Sequence, residues 1–264
     1  MKNDFDPLTS EIPSEVALEN APLVRVVAQV RFPLVVAIDQ REFIGPFQEA
    51  VRAEYPVLRQ EKTHGLLLTS EGVGSAKSQT AWRFSDLKGE WRVSLAPEFL
   101  ALETTAYKSR TDFLKRLRSV LLALEAHVDP KLVDRLGIRY VDRISGADVD
   151  DIAKLVRQEV RGITGTQAAT HIQHALTETL FAMGGHRVLT RWGRLPPGVT
   201  TDPGVIEPID APSWILDLDM FSTEAFPFEV DRLLGEADEF TQRLYAFFRW
   251  AVTNEFLSRY GAKA

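Results

Sequence analysis

The sequence predicts an α+β fold: an antiparallel sheet in two related sectors, with long amphipathic helices packed on it. Three observations point there. Apolar residues alternate with polar ones, arginine above all, over several short runs, the period of half-buried strands. Short turn-rich segments separate most of those runs, whereas parallel strands would need long crossovers. Two longer stretches repeat apolar residues at helical spacing.

Taken in order, Leu23 to Phe32 reads as the first strand, with Val24, Val26, Ala28, Val30 and Phe32 on one face. Asp39 and Glu42 have capping-box spacing, which predicts a helix starting there with an apolar stripe of Phe43, Phe47, Ala50 and Val51. It should stop near Tyr55, before Pro56. Strands follow at Gly65 to Thr69, Ala81 to Asp86, Glu90 to Ala96 and Phe99 to Thr105. A helix over Ser109–Ala126 is marked by Ser109 and Asp112 at its start and by Phe113, Leu114, Leu117, Val120, Leu121 and Leu124 along one broad stripe. Leu136 to Ile144 is another strand.

The second half opens with a short helix over Val149 to Val160, ended by Gly162. Thr170 to Leu180, whose pattern also fits a helix, His186 to Trp192 and Ser213 to Phe221 read as strands, the first two joined by a hairpin at Gly184-Gly185. Leu195 to Pro212 holds five prolines and should be irregular. A last helix, Glu236–Tyr260, carries Phe240, Leu244, Phe247, Phe248, Ala251 and Phe256, with Gly235 as a kink or break before it. This organisation gives residues 1–21 as a flexible N-terminal arm, 22–146 as a first α+β half and 147–264 as a second half packed closely on it.

Composition excludes several chemistries. There is no cysteine, so disulfides, thiolate metal sites and cysteine nucleophiles are out. The net charge of −6 disfavours nucleic acid and anionic lipid as partners. The acidic start has no apolar core of a signal peptide, and no apolar run approaches a membrane span; both predict a cytoplasmic protein without a membrane segment. There is no G-x-S-x-G, G-x-G-x-x-G or P-loop pattern, so no nucleotide cradle or cofactor is expected. His171 and His174 have a metal-like spacing only on a helix; on the predicted strand they point apart, and no metal site is assigned.

Several blocks carry a family resemblance. They are Pro22 to Val27 with Arg31-Phe32-Pro33, Trp82 to Asp86, Trp91 with Val93 to Leu95, Phe99 to Thr104 with Tyr107, Leu136 to Ile144, and the tail from Phe248 to Phe256. Together they resemble a sporadically distributed family of bacterial proteins of about this length that has no assigned activity. The resemblance covers most of the chain from Pro22 onward. It implies a bacterial cytoplasmic protein, and a patchy distribution suits an accessory or defence-linked role. It carries no functional residue over, because the family has no established active site.

The candidate surfaces come from the residues themselves. Arg25, Arg31, Arg83, Arg92, Arg139, Arg143 and Arg191 fall on the polar faces of predicted strands. Such a face suits a phosphate, a carboxylate or a nucleic-acid backbone. It equally suits cross-strand ion pairs with Asp217, Asp219, Glu103 and Glu178, or a subunit interface. Asp217 and Asp219 lie two apart on one strand and so share a face, about 6.5–7 Å apart, a spacing for an acid–base pair or a cation. Trp82, Trp91 and Tyr140 fall on the core side by alternation. Trp250, with Tyr245 beside it, is the candidate for an exposed aromatic surface on the last helix.

The leading expectation is a non-enzymatic binding or regulatory protein that acts through a protein partner or homo-oligomer. Its candidate residues are Arg83, Arg92, Arg139, Arg143, Asp217, Asp219 and Trp250. The alternative is an enzyme or sensor for a small anionic molecule such as a nucleotide, which requires the arginines and the two aspartates to line one cleft.

Overall fold

The computed structural model describes residues 5–63, 66–69, 72–75 and 79–262, with the side chains of 62–79 outside that description. The chain runs β1 (Leu23–Arg31), α1 (Arg41–Val51), β2 (Val57–Thr63), β3 (Leu66–Thr69), β4 (Gly72–Ser75), β5 (Gln79–Ser85), β6 (Trp91–Ala96), β7 (Phe99–Thr104), α2 (Arg110–His127), β8 (Leu132–Val133) and β9 (Arg135–Ser145). It continues through α3 (Ile152–Leu155), α4 (Gln158–Arg161), β10 (Ala175–Met183), β11 (His186–Leu195), β12 (Ser213–Ser222), β13 (Phe226–Pro227), α5 (Val230–Ala251) and α6 (Asn254–Arg259). Nine strands form a large antiparallel sheet in the order β10-β11-β12-β9-β1-β7-β6-β5-β2. The fold is α+β.

The chain divides into two compact units. One comprises Met1–Val26, Ile138–Phe221 and Asp238–Ala264; the other comprises Val27–Gly137 and Ser222–Ala237.

In the second of these, β5, β6 and β7 form a meander with Arg92 directly opposite Glu103 and Val93 opposite Leu102. The alternation expected of β1 holds: Val26, Ala28, Val30 and Phe32 are all buried. β2 pairs with β5 and was not legible as a strand, because its sequence Val-Leu-Arg-Gln-Glu-Lys-Thr has no apolar alternation. Helix α1 begins one residue later than the Asp39 signal implies. Val36–Asp39 is a separate 3-10 turn, Gln40 is the N-cap, and Ile44, Phe47 and Val51 are the buried residues in place of Phe43 and Ala50. Helix α2 starts as its cap predicts, with the Ser109 hydroxyl accepting from the Asp112 backbone N–H at 3.2 Å. It buries Phe113, Leu117, Val120, Leu121 and Leu124, each contributing roughly 1.5–3 kcal/mol of transfer free energy. Gly65, the expected start of a strand, lies outside the described residues, and that strand is β3.

In the other unit two expected helices are interrupted at matched points. The segment 149–160 breaks into a 3-10 turn, α3 and α4, because Val156 is extended. Helix α5 stops at Ala251 and α6 begins at Asn254. The two interruptions satisfy each other: Val156 bridges Val252, Arg157 N–H donates to Ala251 C=O, and Thr253 N–H donates to Leu155 C=O. Thr253 also donates its hydroxyl to Lys154 C=O and caps α6. Gly235 neither breaks nor precedes the helix; it lies inside α5. The strand expected from Thr170 starts only at Ala175, since 167–171 form a 3-10 turn.

The β10–β11 hairpin turns at Gly184, whose φ of +59° suits glycine. Gly193 on β11 has a φ of +151°, and a Cβ there would lie 1.9 Å from the Ala175 carbonyl oxygen. Only glycine lets the two strands approach at that point.

The N-terminal stretch expected as an arm makes specific bonds. Tyr245 of α5 accepts from Val16 N–H and donates to Ser14 C=O, while Arg243 donates to the carbonyls of Pro7 and Ser10.

Candidate functional site

The strand arginines singled out in the sequence are engaged by the chain's own groups. Arg92 pairs with Glu103, its direct neighbour across β6 and β7. Arg83 lies 3.1 Å from Glu61 of β2. Arg191 pairs with Glu178, directly opposite on β10, and its Nη1 is 3.6 Å from Asp217. Cross-strand pairing of this kind needs only alternation and register.

Arg139 of β9 is the most heavily bonded. Its Nε and Nη2 donate to the two carboxylate oxygens of Asp217 on β12, each at 2.7 Å, and Nη1 donates to Asp202 at 2.7 Å. Asp217 is 1% exposed. The bidentate fork is what allows a carboxylate to be buried there. Burial acts to lower the Arg139 pKa, but the hydrogen bonds it donates to Asp217 and then to Asp202, with the attraction of both charges, outweigh it, and the net shift is upward.

Asp202 belongs to the proline-rich segment 196–212, and two further strand arginines hold the same segment. Arg25 Nε donates to Val205 C=O at 3.0 Å, and Arg143 Nη2 donates to Glu207 C=O at 2.7 Å. Val205 and Ile206 pack with Val24, Val141, Leu195 and Ile215. Arg143 has a buried Nε without a hydrogen-bond acceptor among the described residues, and burial pushes its pKa down. The arginine face in this unit is therefore the seat of a loop.

The other singled-out residues are placed as follows. Asp219 is half-buried, two residues from Asp217 on β12, and it too has interactions. Where one cleft shared by Arg139, Arg143, Asp217 and Asp219 was expected, Arg139 is bonded to Asp217 and Asp202, and Arg143 to the Glu207 carbonyl. Trp82 and Trp91 are buried, with Trp82 Nε1 donating to Ile38 C=O at 2.7 Å and the Arg116 guanidinium 4.4 Å above Trp91. Trp250 is half-buried. The Arg157 guanidinium stacks 4.4 Å from its ring centroid and Phe247 meets it edge-on at 5.2 Å. With Tyr245 bonded to the N-terminal stretch, this side of α5 is covered by the chain and forms no open aromatic surface. His171 ends the 3-10 turn and His174 lies just before β10, both exposed, and no group of three or more potential metal ligands occurs among the described residues.

What sequence reading did not single out is the end strand of the sheet. β10 is nine residues long, and none of them is buried. Leu176 is 40% exposed and Leu180 58% exposed. It carries one charged residue, Glu178, already held by Arg191. The opposite end strand, β2, carries Arg59, Glu61 and Lys62 within seven residues. Charge on an edge strand blocks pairing with another chain, and β10 has little of it.

Among the described residues no helix is long and apolar enough to cross a membrane. No protein-family model matches the chain, and no curated protein matches it by sequence.

Proposed function

We propose that this chain is a non-enzymatic binding or regulatory protein that works by self-association, with the β10 edge as its contact. The observation that carries the reading is the unburied end strand whose single charge, Glu178, is already paired. Its outer N–H and C=O groups suit an added antiparallel strand, and Leu176 and Leu180 supply apolar area beside them. A second copy of the chain is the occupant we favour. Two antiparallel β10 strands related by a two-fold axis present identical surfaces to each other and close the assembly at a dimer. The mutual saturation of Arg139, Asp217 and Asp202 supports a structural role for the arginine face over catalysis. The proposal retains the two related sectors with long amphipathic helices as its architecture. The family resemblance supports a bacterial cytoplasmic protein in an accessory or defence-linked setting as part of this reading.

Sedimentation velocity over a range of concentrations tests it. Wild type should run as a dimer at micromolar concentration, and the double variant Leu176→Lys/Leu180→Lys should run as a folded monomer. A wild-type protein that stays monomeric throughout the range sinks the reading.

A further inference from the structure

The unit that contains β10–β12 holds a cavity of about 290 Å³ that plays no part in the edge contact. This is at the low end of the roughly 300–1,000 Å³ common for small-molecule pockets, a size for a small metabolite and not for a dinucleotide. Its wall brings together Arg194 of β11, Asp150 ahead of α3, and an apolar lining of Val149, Ile152, Ala169 and Trp214.

Three features of the wall distinguish it from the arginine face. Arg194 is half-buried, and its guanidinium has no ion-pair or hydrogen-bond partner among the described residues. Asp150 lines the same cavity and its carboxylate is likewise without a partner; the two charges do not form an ion pair with each other. Trp214 is 2% exposed, yet its indole Nε1–H has no acceptor among the described residues. Leaving a buried donor unmade costs about 1–3 kcal/mol, so such a group calls for a partner that is supplied from outside the chain.

We infer that this cavity binds a zwitterionic small molecule of the α-amino-acid class with an apolar side chain. Arg194 takes the carboxylate, for which its planar fork is suited. Asp150 takes the ammonium group. Val149, Ile152 and Ala169 receive the side chain, which gains by leaving water, and the ligand carboxylate supplies the acceptor that the Trp214 indole N–H lacks. A ligand with both charges satisfies two cavity groups that the fold holds apart. A simple anion would satisfy Arg194 and place its charge in the same small space as Asp150.

Isothermal titration calorimetry on the full-length protein tests this with L-leucine, L-phenylalanine and L-methionine, and with two capped analogues of the first. N-acetyl-L-leucine lacks the ammonium charge and L-leucinamide lacks the carboxylate. At least one free amino acid should bind, and the matching capped analogues should bind about tenfold or more weakly, each for the loss of one charge pair. Arg194→Gln and Asp150→Asn should each weaken binding by a similar factor while circular dichroism shows the wild-type spectrum. Both are at least partly solvent-exposed, so either variant serves if the other folds poorly. No heat with any of the three amino acids at millimolar concentration overturns the inference. So does equal binding of N-acetyl-L-leucine and L-leucine, or wild-type affinity in Arg194→Gln. The outcome is independent of the dimer test, because the cavity and the outer edge of β10 share no proposed contact.

Discussion

Arg139 and Arg194 both lie on strands of one unit, β9 and β11. Each follows an apolar residue by one or two positions, Ile138 and Trp192. In the structure they are opposites. Arg139 spends three donors on Asp217 and Asp202, and through Asp202 it holds the 196–212 segment. Among the described residues Arg194 spends none of its side-chain donors, and it borders a volume of about 290 Å³. The difference teaches that an arginine-rich sheet face is no evidence of ligand binding in itself. What matters is whether a carboxylate of the same chain reaches the guanidinium, and for Arg139, Arg92 and Arg191 one does.

The comparison breaks most visibly at Asp217. Asp217→Ala strands Arg139 with one surface-side partner, Asp202, in place of two, and leaves most of its burial intact. Removing one member of a buried pair typically costs about 3–5 kcal/mol, since the remaining charge is uncompensated. Urea denaturation should show a loss in that range, and a loss below about 1 kcal/mol would mean that the pair is structurally idle. Replacing both partners, Arg139→Met with Asp217→Leu, should recover much of the stability, because apolar residues of similar volume fill the site without a desolvation penalty.

Asp142 sharpens the contrast from the acidic side. It lies on β9 three residues from Arg139, is 7% exposed, and has no ion pair or hydrogen bond among the described residues. Burial alone pushes its pKa up to about 7 from an ordinary 3.8. The folded protein therefore holds this proton at pH values where the unfolded chain has lost it. The stabilisation is full below about pH 4, declines as pH rises toward 7, and is gone above that. Asp142→Asn should remove that slope and make the protein more stable than wild type at pH 8 by about 1–3 kcal/mol, less than the full linkage value because water and side chains relax around a buried charge. Denaturation curves at pH 5 and pH 8 measure it. A wild-type stability that rises between those two values while the Asn variant follows in parallel would show that Asp142 is not the source.

How much of this was legible depended on the range of the interaction. Period-two alternation located β1, β5, β6, β7, β9, β11 and β12, because one buried face is a local property of the chain. The Ser109 cap was legible for the same reason. β2 was not, since an edge strand with Arg59, Glu61 and Lys62 carries the marks of a protected edge and not of a core strand. The breaks at Val156 and Val252 were missed because each is stabilised by the other, almost a hundred residues away. In the candidate sites, the pairing of Arg92 with Glu103 follows from register on neighbouring strands, and cross-strand ion pairs of the arginines with Glu103 were one of the expected readings. The attachment of Arg25, Arg139 and Arg143 to the 196–212 segment was not, for loop contacts have no period. The cavity was invisible for a like reason: Asp150, Ala169, Arg194 and Trp214 come from four separate parts of the chain, and an unpaired charge is defined by what fails to reach it.

The smallest effect expected is also the one that isolates the comparison. Arg194→Gln keeps the length and the apolar stem of the side chain but removes the charge. With no ion pair to lose and a half-buried site, its stability should lie within about 0.5 kcal/mol of wild type, as for surface changes away from networks. The same denaturation measurement used for Asp217→Ala decides it. A loss near that of Asp217→Ala would show that Arg194 has a structural partner after all, and the two arginines would then be variants of one device. A negligible loss leaves a cationic side chain that the fold does not need for stability at the wall of a cavity, beside a carboxylate and an indole donor that are equally unclaimed.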